Sequence, residues 1–275
     1  MVSIEEKQKL LEFSTSISKQ ALMAIHKAES GHPGGALSAA DIIAYLFEKE
    51  LPLASEQWPS DDRHRFILSK GHACPVLYAA AEKKAWLEKD ASLSLRKLDS
   101  LVQGHPSVEH TPWVEASTGS LGQGFSVAMG MALGLKYRQF TSRVYVMLGD
   151  GELQEGQVWE AAMSAAHYGL DNLCAIIDYN KLQSDDSNEN IMGLEPLLDK
   201  WQAFNWHVVE INGHDFDQIS QAVAQARECK NKPTVIIAHT KKGKGVTFMQ
   251  SSPLWHGSVK LSDQDLQQAL ADLDS

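Results

Sequence analysis

No apolar run in the 275-residue sequence reaches the length needed to cross a bilayer. The first residues, Met1 to Leu11, carry charges and a helical pattern where a secretory signal would have an apolar centre. Cysteine is scarce: Cys74, Cys174 and Cys229 are odd in number and widely spaced, which excludes a disulfide framework and the paired spacing of a zinc clip. All three read as buried thiols, and the expected compartment is the reducing cytoplasm. Positive charge is also short, with 25 Lys and Arg against 35 Asp and Glu and a formal net charge of −10. The basic field that nucleic acid or an anionic membrane would demand is missing, so neither is an expected partner, and an anionic ligand must be met by local features. Repeats, low-complexity tracts and linkers are absent too. With 43% hydrophobic and 22% charged residues, the expectation is one soluble α/β domain over 1–275, with a short C-terminal helical extension from about 260.

What is present is a set of apolar runs that end in polar loops. Residues 144–148 and 175–178 are continuous apolar, β-branched runs of the kind buried on both faces of a parallel sheet. The stretch 156–168 between them has helical composition, which makes a strand, helix, strand crossover. Both following loops then emerge at the carboxyl edge, where open α/β sheets bind ligands. Those loops carry Gly149-Asp150-Gly151-Glu152 and Asn180. A carboxylate and an amide oxygen suit Mg²⁺, a hard cation that borrows its remaining ligands from phosphates and water; the same residue types are also ordinary turn formers.

Further strands are expected at 63–68, 206–211 and 234–239, the last two as buried strands. Helices are expected at 4–27, 38–50, from after Ala73 to about 87, and at 125–137, 216–230 and 262–273, with Ser38 or Asp41 near the start of the second and residues 52–62 as a connection. The fold class is thus a parallel sheet flanked by helices on both faces.

Two loop features could meet a ligand. Ser117-Thr118-Gly119-Ser120-Leu121-Gly122-Gln123-Gly124 opens the helix at 125–137, and glycines let backbone N–H groups and the helix dipole approach an anion without a basic side chain. Ligand approach is the reading for Gly119 to Leu121, and close helix packing the reading for Gly130 and Gly134. The second feature is a group of histidines beside Gly or Pro in loops: His32, His72, His105 and His256. Imidazoles in loops supply donors, acceptors and acid–base groups near neutral pH, though a single loop histidine is commonly just solvated. His26, His64, His167, His207 and His239 fall in expected helices or strands and read as structural.

These stretches together resemble a known family. Ser30-Gly31-His32-Pro33-Gly34, Lys70-Gly71-His72-Ala73, Gly104-His105-Pro106, Thr118 to Gly124, Gly149-Asp150-Gly151 through Asn180, and Gln154-Glu155-Gly156 follow the order of transketolase over nearly the whole chain. Only the diphosphate-binding domain of a transketolase is covered. Gly34 to Asp41 and Gly149 to Gly156 look like the two-chain form, in which a separate C-terminal subunit brings the pyrimidine-binding and C-terminal domains. The resemblance implies thiamine diphosphate as cofactor, with Mg²⁺, or Ca²⁺ or Mn²⁺ in its place, held by the Asp150 and Asn180 side chains and the Leu182 carbonyl. It implies cofactor contacts from Gly119, Ser120, Leu121, Gly149, Asp150, Gly151, Glu152 and Asn180, with His72 and His256 nearby. His32, His105 and His256 would line the donor-sugar channel, and Glu155 would support a glutamate of the partner across the interface.

The implied reaction moves a two-carbon ketol unit from a ketose, by default xylulose 5-phosphate, to an aldose. The implied assembly contains two of each subunit, with an apolar face for self-association. Ala36-Leu37-Ser38 departs from single-chain transketolases, which usually carry Pro and Gly there, and the basic residues that grip sugar phosphate belong largely to the missing domains. Donor and acceptor therefore stay open. The rivals are the alpha subunit of a 2-oxo acid dehydrogenase, a deoxyxylulose-phosphate synthase, and a non-catalytic cofactor-binding module.

Overall fold

Valine and isoleucine restrict the backbone to extended conformations and pack well on a pleated surface, and the runs rich in them pair into a sheet. The computed structural model describes residues 2–51 and 60–275, so residues 52–59 of the expected connection lie outside the described residues. Its five parallel strands are β1 (Arg65–Leu68), β2 (Val144–Gly149), β3 (Leu173–Tyr179), β4 (His207–Asn212) and β5 (Thr234–His239), in the order β1-β2-β3-β5-β4. Val144 pairs with Leu173 and Cys174 with Thr234, a register that brings the carboxyl ends of β2, β3 and β5 to one edge.

Side chains alternate across a strand, and here the alternation divides the core into two layers. Tyr145, Met147, Cys174, Ile176 and Ile236 face one layer with α1 (Ile4–Ala28), α2 (Pro33–Tyr45), α3 (Cys74–Lys83) and α8 (Phe216–Glu228). Val144, Val146, Ala175, Ile177 and Val235 face the other, with α4 (Gln123–Tyr137), α5 (Gly156–His167) and α7 (Leu197–Ala203). Helices thus cover both faces of a parallel sheet, as the sequence reading required. α9 (Asp263–Asp274) returns to α1, where Ala269 is buried with Leu22 and Ile25 and His26 meets Asp263 at 2.8 Å. Among the described residues no helix is long and apolar enough to cross a membrane.

Several expectations need correction. α2 begins at Pro33 rather than Ser38, because a proline in the first helical turn lacks only an N–H that would be unpaired anyway. Neither Ser38 nor Asp41 caps it; both are buried inside the helix. The helix then finishes in a π-helical turn over Leu46–Glu50. α3 stops at Lys83, short of the expected 87. The short helices α6 (Asn188–Met192) and α7 were not foreseen, since neither is long enough to show a period. β4 is an edge strand and only partly buried, unlike β2 and β3. Cys74 and Cys174 are buried, whereas Cys229 is only half-buried. Gly130 and Gly134 pack against no described residue: both are exposed on the outer side of α4, and a Cβ at either meets no atom within 4 Å.

Candidate active site

A cleft of about 270 Å³ opens at the carboxyl edge, fed by the loops that leave β1, β2, β3 and β5 and by the first turn of α2. His32, His72, His105, Gly119, Leu121, Gly149, Asp150, Gly151, Glu152, Asn180, Leu182 and His256 all line it. Ser120 and Glu155 do not; both are exposed beyond the lining, on the loops that carry Leu121 and Glu152.

The histidines form a cluster although they are far apart in sequence. The rings of His32 and His72 are 5.0 Å apart, His72 and His256 5.4 Å, and His32 and His256 5.9 Å. Burial disfavours the charged ring: it pushes His32 down to about 4, with help from Arg96, and His256 down to about 3, with help from Lys242. His72 is likewise held well below the ordinary range by burial and Lys70, and His105 is lowered by burial and Arg96. At neutral pH the cluster is a set of uncharged imidazoles, each with one donor and one acceptor nitrogen. His105 packs on Gly119, whose φ of +143° few other residues tolerate and whose Cβ would lie 3.0 Å from the imidazole. Arg96 stands behind them, donating to Ser30 Oγ at 2.6 Å and reaching 3.5 Å from His32 Nδ1.

The oxygen donors lie on the opposite wall. Asp150 is 3% exposed and takes the Gly151 N–H at 2.8 Å and the Lys181 N–H at 2.5 Å. Burial, then the neighbouring Asp178, raises it to about 6. Asn180 Oδ1 accepts from Leu182 N–H at 3.1 Å, which folds the Leu182 carbonyl back into the cleft wall. Glu152, in the cleft lining as expected, is also held by the chain itself. Its carboxylate accepts from Gly122 N at 2.7 Å, from Gly149 N at 3.0 Å and from Ser69 Oγ, so it ties the glycine loop to the ends of β1 and β2.

Three charged groups in the cleft were missed at the sequence level. Lys70 and Asp178 form an ion pair, 2% and 0% exposed, in which Lys70 also donates to Gly35 O at 2.8 Å and Asp178 accepts from Ser38 at 2.5 Å and from Thr240. Burial would raise Asp178; the Lys70 ammonium, with Ser38 and Thr240, outweighs it and lowers the pKa. Lys242 Nζ donates to Leu182 O at 2.8 Å and Gln183 O at 3.1 Å and lies 2.5 Å from His256 Nδ1, with burial pushing it down to about 8. Lys70 stands just before Gly71-His72, Asp178 ends an apolar run, and Lys242 sits in Lys241-Lys242-Gly243-Lys244, which reads as solvated.

The residues fit a phosphorylated cofactor held with a hard cation. Gln183 lines the cleft, and its side-chain N–H is buried without a hydrogen-bond partner among the described residues, a donor awaiting an acceptor. The donors grouped around Asp150 are all oxygens, as Mg²⁺ prefers, and Lys242 occupies one of the two lone pairs of the Leu182 carbonyl.

Comparison with known proteins identifies the family and its cofactor class. Residues 12–273 match the family described as transketolase, thiamine diphosphate binding domain. The chain is 41% identical over 260 residues to the 6-deoxy-6-sulfo-D-fructose transketolase subunit SqwG of Clostridium sp. strain MSTE9, covering 94% of each chain. It is 38% identical to an apulose-4-phosphate transketolase subunit of Phocaeicola vulgatus, covering 90% of this chain and 87% of that one. Human transketolase is 39% identical over 98% of this chain, which spans only 43% of that protein. Among solved structures, transketolase from Leishmania mexicana superposes with a TM-score of 0.89 at 30% identity, covering 100% of this chain and 42% of that one. The chain belongs to the transketolase family, as its thiamine-diphosphate-binding N-terminal subunit.

Proposed function

We propose that this chain supplies the diphosphate half of a two-chain transketolase and moves a two-carbon ketol unit from an anionic ketose to an aldose. A separate C-terminal subunit, two copies joining two of this chain, completes the site. The observation that carries the reading is the convergence of four loop histidines, the glycine loop and the Asp150, Asn180 pair in one cleft. We read residues 1–275 as one diphosphate-binding domain with α9 as its extension, working in the cytoplasm, where unpaired thiols persist.

When bound, thiamine diphosphate supplies the electron sink that lets the ketose C2–C3 bond break. Asp150, Asn180 and the Leu182 carbonyl would hold Mg²⁺, while Gly119, Leu121, Gly149, Gly151, His72 and His256 would flank the diphosphate arm and Lys242 would face its charge. His32, His105 and His256 hold the ketose hydroxyls; a neutral imidazole accepts a hydroxyl proton as the bond breaks and returns one to the acceptor as the new bond forms. Exposed Glu155 stands where a partner can reach it.

The substrate class follows from a shared chemistry. The two subunit relatives are named for a sulfonated ketose and a phosphorylated one, each with an anion at the far end of the sugar. Arg96 lies behind His32 and His105, outside the cleft lining, and its positive charge, which already lowers both imidazoles, would favour an anionic substrate on that side.

The test is to combine the chain with its C-terminal subunit, thiamine diphosphate and Mg²⁺, and to assay ketol transfer from pentulose phosphates and from sulfonated and phosphorylated hexuloses. A pair inert toward every ketose yet active on a 2-oxo acid would overturn the reading. Asp150→Ala should abolish cofactor-dependent activity with the fold kept; unchanged cofactor affinity would contradict its role.

A further inference from the structure

We propose that Asp41 and His214 form a positioning relay that fixes the direction of Lys242. The inference rests on reading the cleft as a diphosphate site. Neither Asp41 nor His214 lines that cleft, so both act through the lysine.

Asp41 sits in the middle of α2 and is 1% exposed. A buried carboxylate needs full hydrogen bonding, and Asp41 has it: Ser14 Oγ at 2.5 Å, His214 Nδ1 at 2.8 Å and Lys244 Nζ at 3.2 Å. The far nitrogen of the same ring, His214 Nε2, accepts the backbone N–H of Lys241 at 2.9 Å. An amide N–H can only donate, so Nε2 carries the lone pair and Nδ1 the proton that goes to Asp41. The ring is thereby fixed in one tautomer and one orientation, as a strut between a helix and a loop.

That loop has a second attachment to α2. Gly243 N–H donates to Gly34 O at 3.0 Å, about two turns before Asp41. Lys242 is thus flanked by two backbone anchors on one helix, while its side chain crosses to Leu182, Gln183 and His256. A lysine stem has four rotatable bonds and a large entropy to lose, so an ammonium aimed by side-chain contacts alone would roam. Pinning the backbone on both sides removes part of that freedom before a ligand arrives, which is how outer partners sharpen a binding group. His214 itself is steadied through its own N–H, which donates to Asn212 Oδ1 at 3.0 Å where β4 ends. The strut therefore joins α2, the β4 end and the loop after β5.

Hydrogen exchange on the full chain without ligand reads the relay directly. His214→Ala and His214→Asn should both raise amide exchange across residues 241–245, since Asn can still donate to Asp41 but offers Lys241 no acceptor. Ser14→Ala, which removes a different partner of Asp41, should leave that exchange unchanged. Titration with inorganic diphosphate and Mg²⁺ reads the consequence: His214→Ala should bind roughly tenfold more weakly, the effect typical of outer hydrogen-bond partners. Lys242→Met should also bind more weakly, and the double variant no more weakly than Lys242→Met alone. Unchanged exchange in both His214 variants overturns the relay whatever the cleft binds. Additive losses in the double variant overturn the claim that His214 acts through Lys242. A wild-type chain that ignores diphosphate while its exchange still responds to His214 counts against the diphosphate reading and leaves the relay standing. Circular dichroism separates both results from loss of fold.

Discussion

Two helices of this chain contain glycine pairs and use them in opposite ways. In α2 every residue is buried, and a Cβ on Gly34 would lie 2.8 Å from the Trp255 carbonyl oxygen and 2.9 Å from Lys242 Cγ. In α4 a Cβ on Gly130 or Gly134 would meet nothing within 4 Å. Glycine inside a helix costs about 1 kcal/mol relative to alanine, so each must be offset somewhere. For Gly34 the offset lies inside the chain, where the backbone of the His256 loop and the Lys242 stem come against the helix. For Gly130 and Gly134 the described residues offer none, and in the two-of-each assembly proposed above a second copy lying across α4 would supply it. Exposed Tyr137 on α4, with exposed Met163 on α5 and Tyr168 just beyond it, belongs to the same apolar face.

The sharpest way to break this contrast is one substitution made on both helices. Gly34→Ala should destabilise the chain by about 1–3 kcal/mol despite the better helix former, because backbone rather than a flexible side-chain tip blocks the new methyl. It should also raise the apparent KM for thiamine diphosphate, as Trp255 and His256 move; thermal melting and a cofactor titration check both effects. Next in size, Gly134→Arg should leave the fold intact yet drive the chain toward monomer in sedimentation, since a buried unpaired guanidinium is costly at an interface. A chain already monomeric before the change would refute the face we assign to α4.

A third test probes the His32 end of α2. Burial and Arg96 hold His32 at about 4 against an ordinary 6.5, so unfolding takes up a proton and stability falls as pH drops from about 6.5 toward about 4. His32→Gln should flatten that slope by up to about 1.4 kcal/mol per pH unit, measured as unfolding free energy against pH. The smallest expected effect is Gly130→Ala, which should stabilise the isolated chain by about 0.5–1 kcal/mol, opposite in sign to Gly34→Ala.

Much of this was legible in advance because it is written locally. Runs such as Val144 to Leu148 declare a buried strand by composition, and the glycines and prolines beside His32, His72, His105 and His256 declare loops. The fold class and most of the cleft lining follow from those signals and the order of the motifs. Lys70 and Asp178 escaped because their meaning lies in each other, across 108 positions of sequence. Lys242 and His214 escaped for a similar reason: nothing near either shows that the one is buried in the cleft wall or that the other bridges a helix to a loop. Pro33 misled in the other direction, since the residue that breaks a helix interior is favoured at its start.

The Lys70–Asp178 pair has a consequence for how ligands enter. With those charges cancelling, the cleft keeps the carboxylates of Asp150 and Glu152 against the ammonium of Lys242, and its histidines are uncharged. On the proposed function, a diphosphate arriving alone would meet carboxylates that burial already disfavours as anions, and one arriving with a divalent cation would not add to that cost. The affinities of the two would then be linked, each raising the other by the same factor, and depleting the cation would weaken the binding of the cofactor.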